Sequence, residues 1–223
     1  GDADLMIAGG VENMTRGPWV ISKTSTPFGR DAQMFDSSFG WRFINPRMKE
    51  LYGVDGMGET AENLSDRDKI SREDQDRFSI WSQQKASAAQ KKGRFKKEIV
   101  AVEIPQKKSS PKLFENDEFI KPDTSMEVLS KLKSAFRKDG TVTAGNASGL
   151  NDGACAILLA SEDAIKKYNL KPKARIISNG VVGVEPRIMG IGPVEASNRA
   201  LKKGGLKLND IDIIELNEAF AAQ

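Results

Sequence analysis

Apolar positions along the chain fall into short runs and a few helical periods, separated by stretches in which neither period holds. Asp4-Leu-Met-Ile-Ala8 is an apolar run ending on Gly9-Gly10, so a buried strand is expected to lead into a turn there. From Arg16 to Met57 the chain is rich in glycine, proline and aromatics, and irregular packed loop is expected. Phe39, Trp41 and Phe43 alternate within it as a strand would, over too few positions to define one. The strongest helix begins at Ser71, an N-cap followed by Glu73, Asp74 and Asp76 at the positive end of the helix dipole. Phe78, Trp81, Lys85 and Ala88-Ala89 keep its period, and Gly93 is its predicted stop. Ile99–Ile104 predicts a strand ended by Pro105, and a second helix is expected from Ser125 to Phe136.

Beyond residue 139 strands and helices are expected to alternate. Gly149 to Gly153 is a turn, Ala154–Ala160 a buried strand, and Ser161 the cap of a short helix. Lys173–Gly180 predicts another strand, and a helix opens on Pro193 and closes on Gly204-Gly205. Ile211–Leu216 predicts the last strand, with Asn217 capping a helix that reaches Gln223. This order argues for an α/β layered sandwich. The first residue is not Met and the final helix stops within its first turns, so the chain is expected to be cut at both ends.

Composition adds exclusions. With 223 residues, 39% hydrophobic and 29% charged, the chain has the balance of one or two globular domains. No run approaches the roughly 18 apolar residues of a membrane span, and no leader is visible, so a cytoplasmic protein with no membrane partner is expected. The lone Cys155 cannot form an internal disulfide, which fits a reducing compartment and makes the sequons at Asn13, Asn63 and Asn146 chance matches. The absence of histidine excludes histidine acid–base chemistry and histidine-ligated metal within these residues, and one cysteine excludes a thiolate zinc site. Residues 91–138 hold 13 Lys/Arg against 7 Asp/Glu, a net +6 in a chain of net +3. That excess suits either a solvated face or an anionic partner. No nucleic-acid signature accompanies it, and a compact polyanion such as a nucleotide fits better.

Several stretches offer chemistry. Cys155 lies in an apolar run, where desolvation raises a thiol's pKa, and a buried core cysteine is expected. Thr143–Gly153 combines three glycines with Asn146, Ser148 and Asn151, allowing a backbone to approach a ligand closely, but it is not a Gly-x-Ser-x-Gly elbow. Ile188-Met-Gly-Ile-Gly-Pro193 precedes a helix as an anion-receiving turn would, without the spacing of a dinucleotide fingerprint. Met57 and Met189, beside glycines, suit either a slot for a flexible chain or the core. Asn217 suits either a cap or an amide presented into a crevice.

Ala8–Met14, Met57–Asn63, Ser71–Asp76, Thr143–Ala154, Met189–Pro193 and Asn217–Phe220 together resemble the thiolases, which cleave or form 3-oxoacyl-CoA thioesters. These pieces run through the whole chain in family order. Phe35–Pro46 and Gly183–Arg187 are most similar to 3-oxoadipyl-CoA thiolases. The resemblance implies an α/β, thiolase-like αβαβα layered sandwich, incomplete here, with an inserted loop domain. Residues 1–18 and 151–171 would belong to the N-terminal half, 19–150 to a loop domain covering coenzyme A, and 172–223 to the start of the C-terminal half.

The resemblance implies an acyltransferase whose nucleophilic Cys, activating His and second Cys lie outside these residues. The chain alone is therefore not expected to run the reaction. Asn217 would hold the water of an oxyanion hole, the catalytic role left within the chain. Met57, Phe136, Ala144, Ser148, Leu150, Met189 and Phe220 would line the pantetheine and acyl channel. Acyl-CoA and CoA are the implied partners, CoA entering as a substrate, with no cofactor, no metal and no nucleic acid, in a homodimer or homotetramer. Arg16, Arg42 and Arg47 are candidates to pair with the terminal carboxylate of 3-oxoadipyl-CoA. Two alternatives stand beside this reading: an acetyl-CoA acetyltransferase or short-chain 3-ketoacyl-CoA thiolase, and a non-catalytic CoA-binding fragment.

Overall fold

The computed structural model describes residues 3–223, so the first two residues of the 1–18 segment lie outside the description. The chain divides into two compact units, Gly1–Thr60 with Leu150–Leu216, and Ala61–Gly149 with Asn217–Gln223.

The first unit is organised on an antiparallel ribbon of β1 (Leu5–Asn13) and β6 (Asp152–Ala160), in register from Leu5 opposite Ala160 to Asn13 opposite Asp152. The expected turn at Gly9-Gly10 is absent, because the strand runs straight through both glycines. A Cβ at Gly9 would drive into the Cys155 carbonyl oxygen, so the glycine serves close approach rather than reversal. Thr15 closes one end of the ribbon. Its N–H and hydroxyl donate to the two Asp152 carboxylate oxygens at 3.0 and 2.6 Å. The hydroxyl first, then the N–H, holds the Asp152 carboxyl below the usual carboxylate range. β6 is largely exposed and so is Cys155, which corrects the expectation of a buried core strand: among the described residues β1 is the only strand paired with it.

Within the stretch expected to be irregular, a short hairpin forms from β2 (Trp19–Ile21) and β3 (Met34–Asp36), followed by α1 (Pro46–Tyr52). Asn45 caps α1 by accepting from the Arg47 and Met48 N–H groups. Phe39, Trp41 and Phe43 form no strand. α2 (Met57–Asp68) begins in this unit and runs past Thr60.

The second unit is dominated by α3 (Arg72–Lys91), capped at Ser71 as predicted, with Gly93 in the left-handed region beyond its end. β4 (Val102–Ile104) and β5 (Lys112–Phe114) pair as a small ribbon, β4 taking only the last part of the expected strand. The helix expected to reach Phe136 is only α4 (Met126–Ser130). Beyond it Ser134 bridges to Thr143 and the Ala135 N–H donates to the Val142 carbonyl, so pairing replaces the helical ladder. In this unit Ala61, Val142 and Ala222 form a buried apolar cluster with Ala147 and Phe220 packed against it, and Leu64 and Leu129 are buried as well.

Back in the first unit, α5 (Glu162–Tyr168) is capped by Ser161, and α6 (Gly192–Gly204) ends at left-handed Gly205, both as predicted. The strands expected at 173–180 and 211–216 have no ladder among the described residues. Residues 173–180 instead pack beside α6, where a Cβ at Gly180 would meet the Ala196 carbonyl. The tail after Asn217 is not a helix. It pairs with the loop at 146–148 instead.

Candidate functional site

In the first unit, four local devices surround a cavity of about 750 Å³. The turn at 37–42 brings Trp41 and Arg42, the end of α1 brings Tyr52, and the start of α2 brings Met57 and Thr60. A 3₁₀ turn, Pro186–Ile191, brings Arg187 and Met189. The walls are tied to one another. Arg187 Nε pairs with Asp55 Oδ2 at 2.9 Å, Trp41 Nε1 donates to the Asp55 carbonyl at 3.2 Å, and the Thr60 hydroxyl donates to the Met57 carbonyl at 2.7 Å. Arg42 Nη1 donates to the Gly40 carbonyl at 3.0 Å. Two thioethers and two aromatic rings thus share one cavity with two arginines and an aspartate, a lining suited to a flexible acyl chain with a polar end.

In the second unit, the loop at 141–148 hangs from buried carboxylates. Glu62, 1% exposed, accepts from the Thr141 N–H and hydroxyl at 2.9 and 3.0 Å and from the Val142 N–H at 2.9 Å. Asp76, equally buried, accepts from Arg72 Nε at 2.8 Å and from Asn146 Nδ2 at 3.0 Å. Asn146 Oδ1 in turn accepts from the Thr143 N–H at 2.7 Å. Asn146 is therefore scaffold rather than an open ligand group. The tail docks on this loop, with the Ser148 N–H donating to the Ala219 carbonyl and the Ala221 N–H to the Asn146 carbonyl. Ser82 on α3 donates to the Glu218 carboxylate. The rings of Phe136 and Phe220 meet edge to face with centroids 5.9 Å apart. Asn217 is exposed, and its carboxamide has no hydrogen-bond partner among the described residues.

The eight predicted site residues thus fall into two groups. Met57 and Met189 share the first unit's cavity, while Leu150 is exposed in that unit and does not line it. Phe136, Ser148, Asn217 and Phe220 gather around the loop and tail of the second unit. Ala144 is exposed on the same loop. Sequence reasoning missed Tyr52, Asp55 and the cavity-lining role of Arg187, as well as the anchoring roles of Glu62 and Asp76. Both anchors lie within family-like stretches of the sequence, Met57–Asn63 and Ser71–Asp76, but no spacing rule names the distant groups they capture, the Thr141 and Val142 N–H groups for Glu62 and the Asn146 side chain for Asp76. Among the described residues no group of three or more His, Cys, Asp or Glu is placed to hold a metal, and no helix is long and apolar enough to cross a membrane.

Residues 1–163 match the family model described as the thiolase N-terminal domain, and residues 170–223 match the thiolase C-terminal domain. A beta-ketoadipyl-CoA thiolase of Acinetobacter baylyi is 53% identical over the whole chain, and an acetyl-CoA acetyltransferase of Chromobacterium violaceum is 50% identical. The chain spans 56% of the length of each of these two relatives. In structure it is similar to human mitochondrial 3-ketoacyl-CoA thiolase in complex with CoA, with a TM-score of 0.86 and 44% identity. That match covers 99% of this chain and 54% of the human one. With family matches over nearly its whole length and a thiolase fold, the chain belongs to the thiolase family.

Proposed function

We propose that the protein containing these residues is a CoA-dependent thiolase that cleaves 3-oxoacyl-CoA with a dicarboxylic acyl chain, with 3-oxoadipyl-CoA as the reference substrate. The observation that carries this reading is the cavity of the first unit, where Met57 and Met189, both from motifs of the family, share a lining with Arg42. Relatives at 53% and 50% identity carry two different substrate names, so identity alone does not choose between them; the charged lining favours the dicarboxylic one.

In the forward reaction, CoA and 3-oxoadipyl-CoA give succinyl-CoA and acetyl-CoA. The Cα–Cβ bond of the oxoacyl chain breaks, the succinyl group passes to the thiol of CoA through an enzyme cysteine, and the departing acetyl-CoA carbanion takes a proton. The nucleophilic cysteine, its activating histidine and the second cysteine belong to parts of the protein outside these residues. Within the chain, Asn217 offers its unpartnered carboxamide to a water that donates to the thioester oxygen as charge develops there. Phe136, Ser148, Phe220, Ala144 and Leu150 contact the pantetheine and acyl portions, and residues 19–150 act as the loop domain over CoA. The basic excess at 91–138 supports that placement, since it suits the phosphates of CoA. A homo-oligomer working in the cytoplasm is the setting this reading carries with it.

The test is a thiolysis assay on the full-length open reading frame, following CoA-dependent conversion of 3-oxoadipyl-CoA to succinyl-CoA and acetyl-CoA. Turnover of acetoacetyl-CoA with 3-oxoadipyl-CoA untouched would replace the substrate class. A protein that cleaves neither would overturn the thiolase reading.

A further inference from the structure

Resting on the thiolase reading above, we propose that Arg42 is the specificity residue that binds the distal carboxylate of the acyl chain. Three arginines were open candidates from the sequence, and the structure separates them. Arg42 lines the cavity that holds Met57 and Met189; Arg16, in the 3₁₀ turn Met14–Arg16, and Arg47, in the first turn of α1, do not.

The charge in the cavity points the same way. Its charged lining consists of Arg42, Asp55 and Arg187, and the 2.9 Å pair between Asp55 and Arg187 leaves one positive charge, that of Arg42. Among the described residues Arg42 has no carboxylate within ion-pair distance, and its bond to the Gly40 carbonyl occupies a single N–H of the guanidinium. The remaining donors form the fork that a carboxylate accepts with both oxygens.

Arg42 is itself exposed, and the backbone on either side of it is held in place. Gly40 has φ +61°, a turn conformation that suits glycine, and Phe43 has φ 51°, which is unusual for a bulky side chain. The Phe43 ring is held edge to face against Phe35 with centroids 5.5 Å apart, and on the other side Trp41 is held by its bond to the Asp55 carbonyl. Arg42 thus sits between two anchored aromatics on a strained turn. The backbone from which its side chain reaches the cavity is therefore set before any ligand arrives, which lowers the ordering cost of binding there.

The experiment compares 3-oxoadipyl-CoA with 3-oxohexanoyl-CoA, which has the same chain length without the carboxylate. The full-length protein is assayed as wild type, Arg42→Gln and Arg42→Lys. The readout is the ratio of kcat/KM for the two substrates. Arg42→Gln is expected to lower that ratio about 10- to 100-fold, the scale of one hydrogen-bonded charge contact, and Arg42→Lys to recover part of it. A wild-type preference for 3-oxoadipyl-CoA that survives both substitutions would overturn the role of Arg42 and leave the thiolase reading intact. Equal losses on both substrates would also overturn it, because they would mean that Arg42 serves the CoA phosphates common to both. A wild type that cleaves 3-oxohexanoyl-CoA and ignores 3-oxoadipyl-CoA would remove the dicarboxylic substrate class, and this proposal with it.

Discussion

In the second unit the loop bearing Ser148 is suspended from Glu62 and Asp76, two carboxylates almost wholly out of water, and each is bonded to groups distant in sequence. The cavity of the first unit is assembled differently. Its walls are short turns and helix ends, closed by an Asp55–Arg187 pair whose arginine is half exposed, and most of its aromatic lining remains accessible. The difference teaches where the two regions tolerate change. A buried carboxylate that satisfies several hydrogen-bond donors cannot be removed without orphaning them, whereas a pair whose arginine is half exposed competes with water and contributes less. Rigidity is thus concentrated beside the proposed oxyanion residue, and variability is permitted where the acyl chain would be discriminated.

The sharpest way to break this contrast is to remove one carboxylate from each region. Glu62→Ala leaves the Thr141 and Val142 N–H groups buried and unpaired, and a loss of about 4 kcal/mol is expected in urea denaturation of the full-length protein. Asp55→Ala is expected to cost less, about 1–2 kcal/mol in the same measurement, because its partner Arg187 is half exposed. Equal losses would erase the distinction. Next in size, Asn217→Ala is expected to lower kcat for thiolysis by about 10²–10³-fold, with the denaturation midpoint almost unmoved because the carboxamide has no partner to lose. A variant that keeps full rate would remove Asn217 from the chemistry.

The helix caps supply a smaller, matched comparison. Ser71 Oγ accepts from the Asp74 N–H in the second unit and Ser161 Oγ from the Ala164 N–H in the first, each at 3.1 Å. Alanine at either position is expected to cost about 1 kcal/mol, read from the same unfolding curves. The smallest effect concerns acid. Because hydrogen bonds from Thr15 lower the folded-state pKa of Asp152, its contribution is present above the ordinary carboxylate range and is lost as the pH falls through the lowered value. The Tm difference between wild type and Thr15→Val should therefore shrink on acidification from about pH 6 to about pH 3. A difference that grows on acidification would reverse the assignment.

These caps also show what the sequence made legible. Ser71, Ser161 and Gly205 act within one helical turn, so the ends of α3, α5 and α6 can be read from neighbouring residues alone. A strand needs a partner, and residues 173–180 and 211–216 carry a strand pattern with no ladder to join among the described residues. Residues 217–223 have a helix-starting sequence, yet their backbone groups are taken by Asn146 and Ser148, a competition that no local rule contains. Gly9-Gly10 failed for the opposite reason, since pairing with β6 overrides a local turn signal. That Met57 and Met189 lie at one cavity could be anticipated from the motifs that carry them. The site was hidden where the role depends on a distant backbone group, as with Glu62.

The β1–β6 ribbon has a consequence for handling the molecule. Among the described residues it is two strands wide, with no further strand on either outer edge, and Ile7, Val11, Ile157 and Leu158 stand more than half exposed along it. An apolar strand with a free edge is a template for intermolecular pairing, and neither β1 nor β6 carries the lysine or proline that would discourage it. Handled on its own at high concentration, this 223-residue chain is expected to aggregate edge to edge, and the exposed Cys155 adds an oxidative crosslink unless reductant is present.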